Sequence, residues 1–153
     1  MDGFQIEEWT DPNRPELVAL LRRAAQESWV ANAPSPRTLV ALTSGEPVGF
    51  LSFTVQEIGP ADNCPALGLT EAKIVAFGVE EPMRRRGIGA ELQRRLLERA
   101  RQLGCYQVRS RSDAEHVANH RLKLRLGFAV SPNVRTLASG EERPGYFFVK
   151  VVS

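Results

Sequence analysis

The chain has 153 residues, 42% hydrophobic and 25% charged, ordinary values for one folded domain long enough to bury a proper core. A formal charge of +2 is too small to demand a nucleic-acid partner, although 17 of the 20 basic residues are arginine, the side chain better suited to gripping phosphate. Cys64 and Cys105 give neither a disulfide framework nor metal-ligand spacing, and no apolar run approaches the ~20 residues of a membrane span.

Phe4 to Trp9 alternates as a short first strand, and Asp11-Pro12-Asn13 breaks it. Pro15 stands where a helix would begin, and Leu17, Leu20, Leu21, Ala24 and Ala25 recur at helical spacing up to about Trp29. Asn32 to Pro36 is a loop rich in proline and serine. Arg37–Thr43 and Val48–Ile58 read as strands joined by a hairpin turn, Ser44-Gly45-Glu46-Pro47. Gly59 to Thr70, with two prolines and two glycines, predicts a long loop. Lys73 to Val79 reads as a buried strand and Ala90 to Leu103 as an amphipathic helix, with Ile88, Leu92, Leu96, Ala100 and Leu103 in one stripe and Gly104 as its stop. Cys105 to Arg111 alternates as another strand. Ser112-Asp113-Ala114-Glu115 has the form of a capping box, and the segment after it, alternating at Arg121–Leu126 but built only of helix formers, is assigned to a helix. Phe128–Val130 and Tyr146–Val152 close the chain as strands around a polar loop, Ser131–Gly145. The expectation is a single α+β domain over residues 1–153 with a mixed sheet. Met1-Asp2-Gly3 opens no signal peptide, so the expected location is the cytoplasm.

The most informative stretch is Arg84-Arg85-Arg86-Gly87-Ile88-Gly89-Ala90, between strand and helix. A glycine-rich turn entering a helix presents several backbone N–H groups without intrahelical partners, backed by the positive end of the helix dipole. That is a seat for a phosphate or pyrophosphate. A Rossmann site fails for want of a third small residue after Gly87-Ile88-Gly89, and a P-loop for want of Gly-Lys-Ser/Thr. A nucleic-acid patch is poorly served by arginines in a tight turn without a second basic strip.

The order of elements, Arg84, Gly87 and Gly89 in the pattern Q/R-x-x-G-x-G/A, and Leu126-Gly127-Phe128 after the last helix together resemble the GCN5-related N-acetyltransferase (GNAT) superfamily across nearly the whole chain. The resemblance implies an α/β/α layered fold whose mostly antiparallel sheet splays open between the strand before the turn and the strand after the next helix. It implies acetyl-CoA in that opening as co-substrate and no metal. The main chain of Phe77, Gly78 and Val79 would pair with the pantetheine arm, and the amides of Arg85, Arg86, Gly87, Ile88, Gly89 and Ala90, with Arg84 beside them, would cradle the pyrophosphate. The amide of Val79 or a neighbour would polarise the thioester carbonyl and steady the oxyanion. The implied reaction moves an acetyl group to a primary amine of a small molecule or protein, by direct attack in a ternary complex. The alternative keeps the fold as a CoA-binding sensor or interaction module. A homodimer fits the resemblance, since dimers are common in the family.

The acid and base positions depart from the family pattern. Lys123 stands where relatives often carry the tyrosine that protonates the leaving thiolate, and it reads either as a proton donor or as a solvated helix residue. His116 replaces a frequent asparagine, so Asn119 is the candidate for a CoA hydrogen bond, and His116 and His120 otherwise read as exposed helix residues. The usual strand glutamate falls at Lys73 or Val75. Glu71 could act through water or be a surface carboxylate at the strand end, and Glu27 is a weaker candidate base. Tyr146 reaches the thiol only if the last strand borders the splay. Trp29 and Phe53 read as core or as a pocket lining. The acceptor is expected to be chosen by the first helix with Ala31–Pro36, the Gly59–Thr70 loop and the Ser131–Gly145 segment, whose mixed charge does not name it.

Overall fold

In the computed structural model, which describes residues 3–59 and 64–153, seven strands lie in one sheet. They are Gln5–Trp9 (β1), Arg37–Thr43 (β2), Glu46–Glu57 (β3), Thr70–Val79 (β4), Gln107–Asp113 (β5), Ala129–Thr136 (β6) and Glu142–Val151 (β7). Their spatial order is β1-β2-β3-β4-β5-β7-β6, and every neighbouring pair is antiparallel except β4 with β5. The helices are Pro15–Arg23 (α1), Glu27–Ala31 (α2), Ile88–Gln102 (α3) and Val117–Arg125 (α4). The expected α+β fold with a mixed, mostly antiparallel sheet is therefore the observed one. Met1, Asp2 and Pro60–Asn63, the centre of the predicted long loop, lie outside the described residues.

Two apolar layers cover the two faces of the sheet. Ile88, Leu92, Leu96 and Ala100 of α3 pack on Leu51, Phe53, Ala72 and Ile74, together with Val108, Phe128 and Phe148. Leu17, Leu20 and Leu21 of α1 and Val30 of α2 pack on the other face, against Trp9, Val40, Phe50 and Ala76. Burying side chains of this size is worth about 1.5–3 kcal/mol each, so these two stripes hold the layers together.

A bulge in β4 decides which side chains face which layer. Phe53 pairs with Ile74 and Ser52 with Ala76, leaving Val75 as the extra residue. Ala72 and Ile74 therefore face α3, whereas Ala76, at the same period of two, faces α1. Beyond the bulge Phe77 and Val79 are turned to the α3 side, where both pack against its core.

The structure corrects several expected boundaries. The first helix is two helices, because α1 stops at Arg23 and Ala25 takes a positive φ of 55°. Trp29, on the second of them, is 55% exposed and no part of the core, whereas Phe53 is fully buried. The capping box does not form. Ser112 and Asp113 continue β5, paired with Tyr146 and Gly145, and the N-cap of α4 is His116 without a side-chain cap. The polar segment 131–145 is mostly a hairpin, in register from Ala129 opposite Val149 to Thr136 opposite Glu142. β6 is the edge strand, and residues 131–144 are exposed or only partly buried on both faces, so they lack the apolar alternation that betrays a half-buried strand.

Gly145 in this hairpin is required for space. A Cβ there would lie 2.4 Å from the backbone oxygen of Ser112. Gly145→Ala should lower the melting temperature by an amount equivalent to about 2–3 kcal/mol, read by thermal unfolding, because the colliding atom is main chain and cannot rotate away.

Candidate active site

β4 and β5 run together only briefly. Glu71, Ala72 and Lys73 lie opposite Gln107, Val108 and Arg109, and no further pair follows. Past that point β4 stays paired to β3 as far as Val79, and β5 stays paired to β7 as far as Asp113. Each strand keeps its outer neighbour and loses its inner one, so the sheet opens as a V whose closed end is at Glu71–Lys73.

The main chain along the V has a definite polarity. The Glu80 N–H donates to the Val48 carbonyl at 2.8 Å, which makes residue 80 a hydrogen-bonded position toward β3. Backbone groups alternate along a strand, so those of Gly78 also face β3, while those of Phe77 and Val79 face the open side. The Arg84 Nε–H donates to the Val79 carbonyl at 2.9 Å, as that alternation requires. Of the three expected strand residues, Phe77 and Val79 thus offer their polar groups to the V. Gly78 contributes by lacking a side chain, since a Cβ there would lie 3.2 Å from the Phe50 ring.

At the mouth of the V a 3₁₀ turn, Glu81–Met83, leads through the arginines into α3. Arg85 takes φ 66° and Gly87 takes φ 81°, so two left-handed residues curl the turn around the helix end. No side chain caps α3, and its first internal bond runs from the Glu91 N–H to the Gly87 carbonyl at 3.0 Å. The N–H groups of Gly87, Ile88, Gly89 and Ala90 consequently have no place in the helical ladder. Gly89 lets the helix come close, as a Cβ would lie 3.2 Å from the Phe77 ring and 3.8 Å from Leu122 of α4. Strand, helix end and α4 therefore converge at one glycine. Arg84 braces the turn against the strand end instead of pointing away as a loose charge.

Lys123 is not a solvated helix residue. It is 1% exposed, and burial pushes its ammonium down to about 8 from the usual 10.5. The Nζ donates to Asn119 Oδ1 at 3.1 Å and lies 5.4 Å from the centre of the Phe148 ring. His116 is exposed as expected, but His120 is buried beside Tyr146 and Phe148, with both ring centroids 5.3 Å away. Desolvation holds the His120 imidazole below its ordinary range, with Lys123 pressing in the same direction. Spacing alone could not reveal this, because α4 is so mixed in character that His and Lys, not leucines, make its buried face. Tyr146 belongs to β7, which lies behind β5 and not along the splay, so the condition for its reaching the thiol is not met.

Glu71 is also differently placed from a surface carboxylate. It is 2% exposed at the closed end of the V. Gln56 and Gln107 each donate a side-chain N–H to it at 2.8 Å, and Arg109 lies 3.6 Å away. These partners engage both carboxylate oxygens. Gln93 is a residue that reading for apolar stripes passes over. It is fully buried one turn after Gly89, and neither amide atom has a partner among the described residues.

A model of the acetyltransferase (GNAT) family matches residues 3–128. The chain belongs to this family. Among solved structures, it resembles Arabidopsis thaliana NAA60 in complex with acetyl-CoA, at 17% identity and a TM-score of 0.77, covering 98% of this chain and 99% of that one. A GNAT-family acetyltransferase from Streptococcus pneumoniae gives 16% identity and a TM-score of 0.73, covering 99% and 100%. Aminoglycoside 6'-acetyltransferase type Ii gives 22% identity and a TM-score of 0.69, covering 97% of each chain. No curated protein matches the sequence. At these identities the likeness is one of fold. Among the described residues no helix is long and apolar enough to cross a membrane.

Proposed function

We propose that this GNAT chain, as one acyltransferase domain over residues 1–153, moves an acetyl group from acetyl-CoA to a primary amine by direct attack in a ternary complex. The observation that carries the proposal is the meeting of the V with the uncapped end of α3 at Gly89. The neighbour with acetyl-CoA bound shares this fold from end to end.

In this reading the Gly87–Ala90 amides and the helix dipole hold the pyrophosphate, with Arg85 and Arg86 adding charge. The open-side groups of Phe77 and Val79 accept the pantetheine arm as an added strand and fix the thioester along β4. The Val79 N–H is the nearest strand donor to the mouth and is assigned to the thioester carbonyl oxygen. Asn119 holds the Lys123 ammonium on α4, the helix that closes on Gly89. An ammonium with a pKa of about 8 is matched to a thiol, whose ordinary value is about 8.5, and Lys123 is assigned to protonate the departing thiolate. Glu71 is assigned to positioning, since its oxygens are engaged in holding Gln56 and Gln107 at the closed end. Attack is left to an amine that arrives unprotonated or loses its proton to water.

The test is release of free thiol from acetyl-CoA with a panel of amines, together with the mass of the acetylated product. Amine-dependent release with an added acetyl group supports the proposal. Acetyl-CoA binding with only slow, amine-independent hydrolysis across the panel would point to the sensor instead.

A further inference from the structure

On the sheet face opposite α3, the strands beyond the V carry a basic wall. Arg109, Arg111 and Asp113 alternate along β5 with Val108, Ser110 and Ser112, which are buried on the α3 side. Cross-strand partners share a face. Lys73 is therefore on the wall beside Arg109, Phe147 beside Arg111, and Arg135 of β6 one strand further on. The contacts agree. Arg109 lies over the Phe147 ring at 5.4 Å, the Arg111 Nε–H donates to Asn133 at 2.7 Å, and Arg135 pairs with Asp113 at 3.3 Å.

Charge on this wall is not balanced. Lys73, Arg109, Arg111, Arg135 and Arg143 face three carboxylates, Glu71, Asp113 and the Glu141 that pairs with Arg143. Asp113 is shared by Arg111 and Arg135, and the Arg111 bond holds its carboxyl below the usual range, so it stays ionised. Glu71 is taken up by two glutamine amides and meets Arg109 only as an ion pair. The Nε of Arg109 and the Nε of Arg135 are both buried without a hydrogen-bond partner. A guanidinium that is only partly satisfied is costly to hold unless an anion completes it. Both side chains remain about one-third exposed, so an anion can reach their outer nitrogens.

We infer that the acceptor is a small primary amine that also carries an anionic group, a carboxylate or a phosphate. The anion would be seated by Lys73 and Arg109, neighbours across β4 and β5, while the amine enters the V from the face opposite α3. The inference rests on the acetyltransferase reading, and it goes beyond it by naming the charge of the substrate. Polyamines and aminoglycosides, which bring only positive charge, are disfavoured by the same wall.

The experiment is equilibrium binding of paired amines to the CoA-saturated chain, a ternary complex that cannot turn over. The pairs are L-phenylalanine with 2-phenylethylamine, and glucosamine 6-phosphate with glucosamine, with spermidine as the polycation. The anionic member of at least one pair should bind about tenfold or more tighter than its neutral partner, and which pair responds separates carboxylate from phosphate. Lys73→Gln and Arg109→Gln should each reduce that preference. Equal or tighter binding of the neutral members or of spermidine would overturn the inference while leaving the donor site standing. Failure of CoA itself to bind would remove the acetyltransferase reading and the inference with it.

Discussion

Lys123→Met should raise the melting temperature at pH 7 and lower turnover by about a hundredfold or more. The two effects share one cause. Burial depresses the folded-state pKa of Lys123 to about 8, so between pH 8 and 10.5 the unfolded chain binds more protons than the folded one. Stability therefore rises with pH across that window. Below it the full cost of desolvating the ammonium is present, about 3 kcal/mol. Methionine fills a similar volume without a charge to desolvate, and it forfeits the bond to Asn119 and the ammonium's contact with the Phe148 ring. A net gain of about 2 kcal/mol at pH 7, or about 4–8 °C, is expected. The gain should shrink as pH rises through this window and vanish above about pH 10.5, where the wild-type lysine becomes neutral in both states. The wild-type kcat should fall as pH rises through about 8, where the acid loses its proton, and that limb should be missing from the variant. A variant as active as wild type with an unchanged pH profile would show that Lys123 is buried for packing and that water or another group serves the thiolate.

Ala90→Glu is expected to separate stability from binding in the opposite sense. Ala90 lies in the first turn of α3, where a carboxylate interacts favourably with the helix dipole. The ligand-free chain should be as stable as wild type or more so, by a few tenths of a kcal/mol. The same carboxylate stands among the amides assigned to the pyrophosphate, and acetyl-CoA affinity should drop about a hundredfold. Thermal unfolding without ligand and an acetyl-CoA titration read the two effects separately. Unchanged affinity would place the pyrophosphate elsewhere.

The donor half of the site was legible because it is written in local chemistry. Gly87 and Gly89 are needed where the turn curls and the helix approaches Phe77, and those needs are visible as glycines at a fixed spacing between a strand and a helix. The α3 stripe was equally plain, since one face meets the sheet at a period of 3.6. What stayed hidden depends on register. Which of Phe77, Gly78 and Val79 turn toward the V follows from the bulge at Val75, which leaves no local mark. The burial of His120 and Lys123 depends on β7 lying under α4, and long-range pairing sets that placement. The basic wall needs three strands brought together from residues 109–111, 133–135 and 73, and no single segment of the sequence looks basic enough to announce it. The capping-box signature failed for a related reason, because the pairing of Ser112 with Tyr146 outcompeted a local cap.

The central claim is that acetyl-CoA lies in the V with its pyrophosphate on the end of α3. Its most direct test is the backbone amide response to acetyl-CoA in a nitrogen-15 NMR titration. The largest shifts are predicted at Gly87, Ile88, Gly89 and Ala90, with Phe77 and Val79 responding more than Gly78. A response confined to the concavity between β1 and α3, lined by Phe4, Ile6, Glu91 and Arg95, or no response at all, would contradict the account.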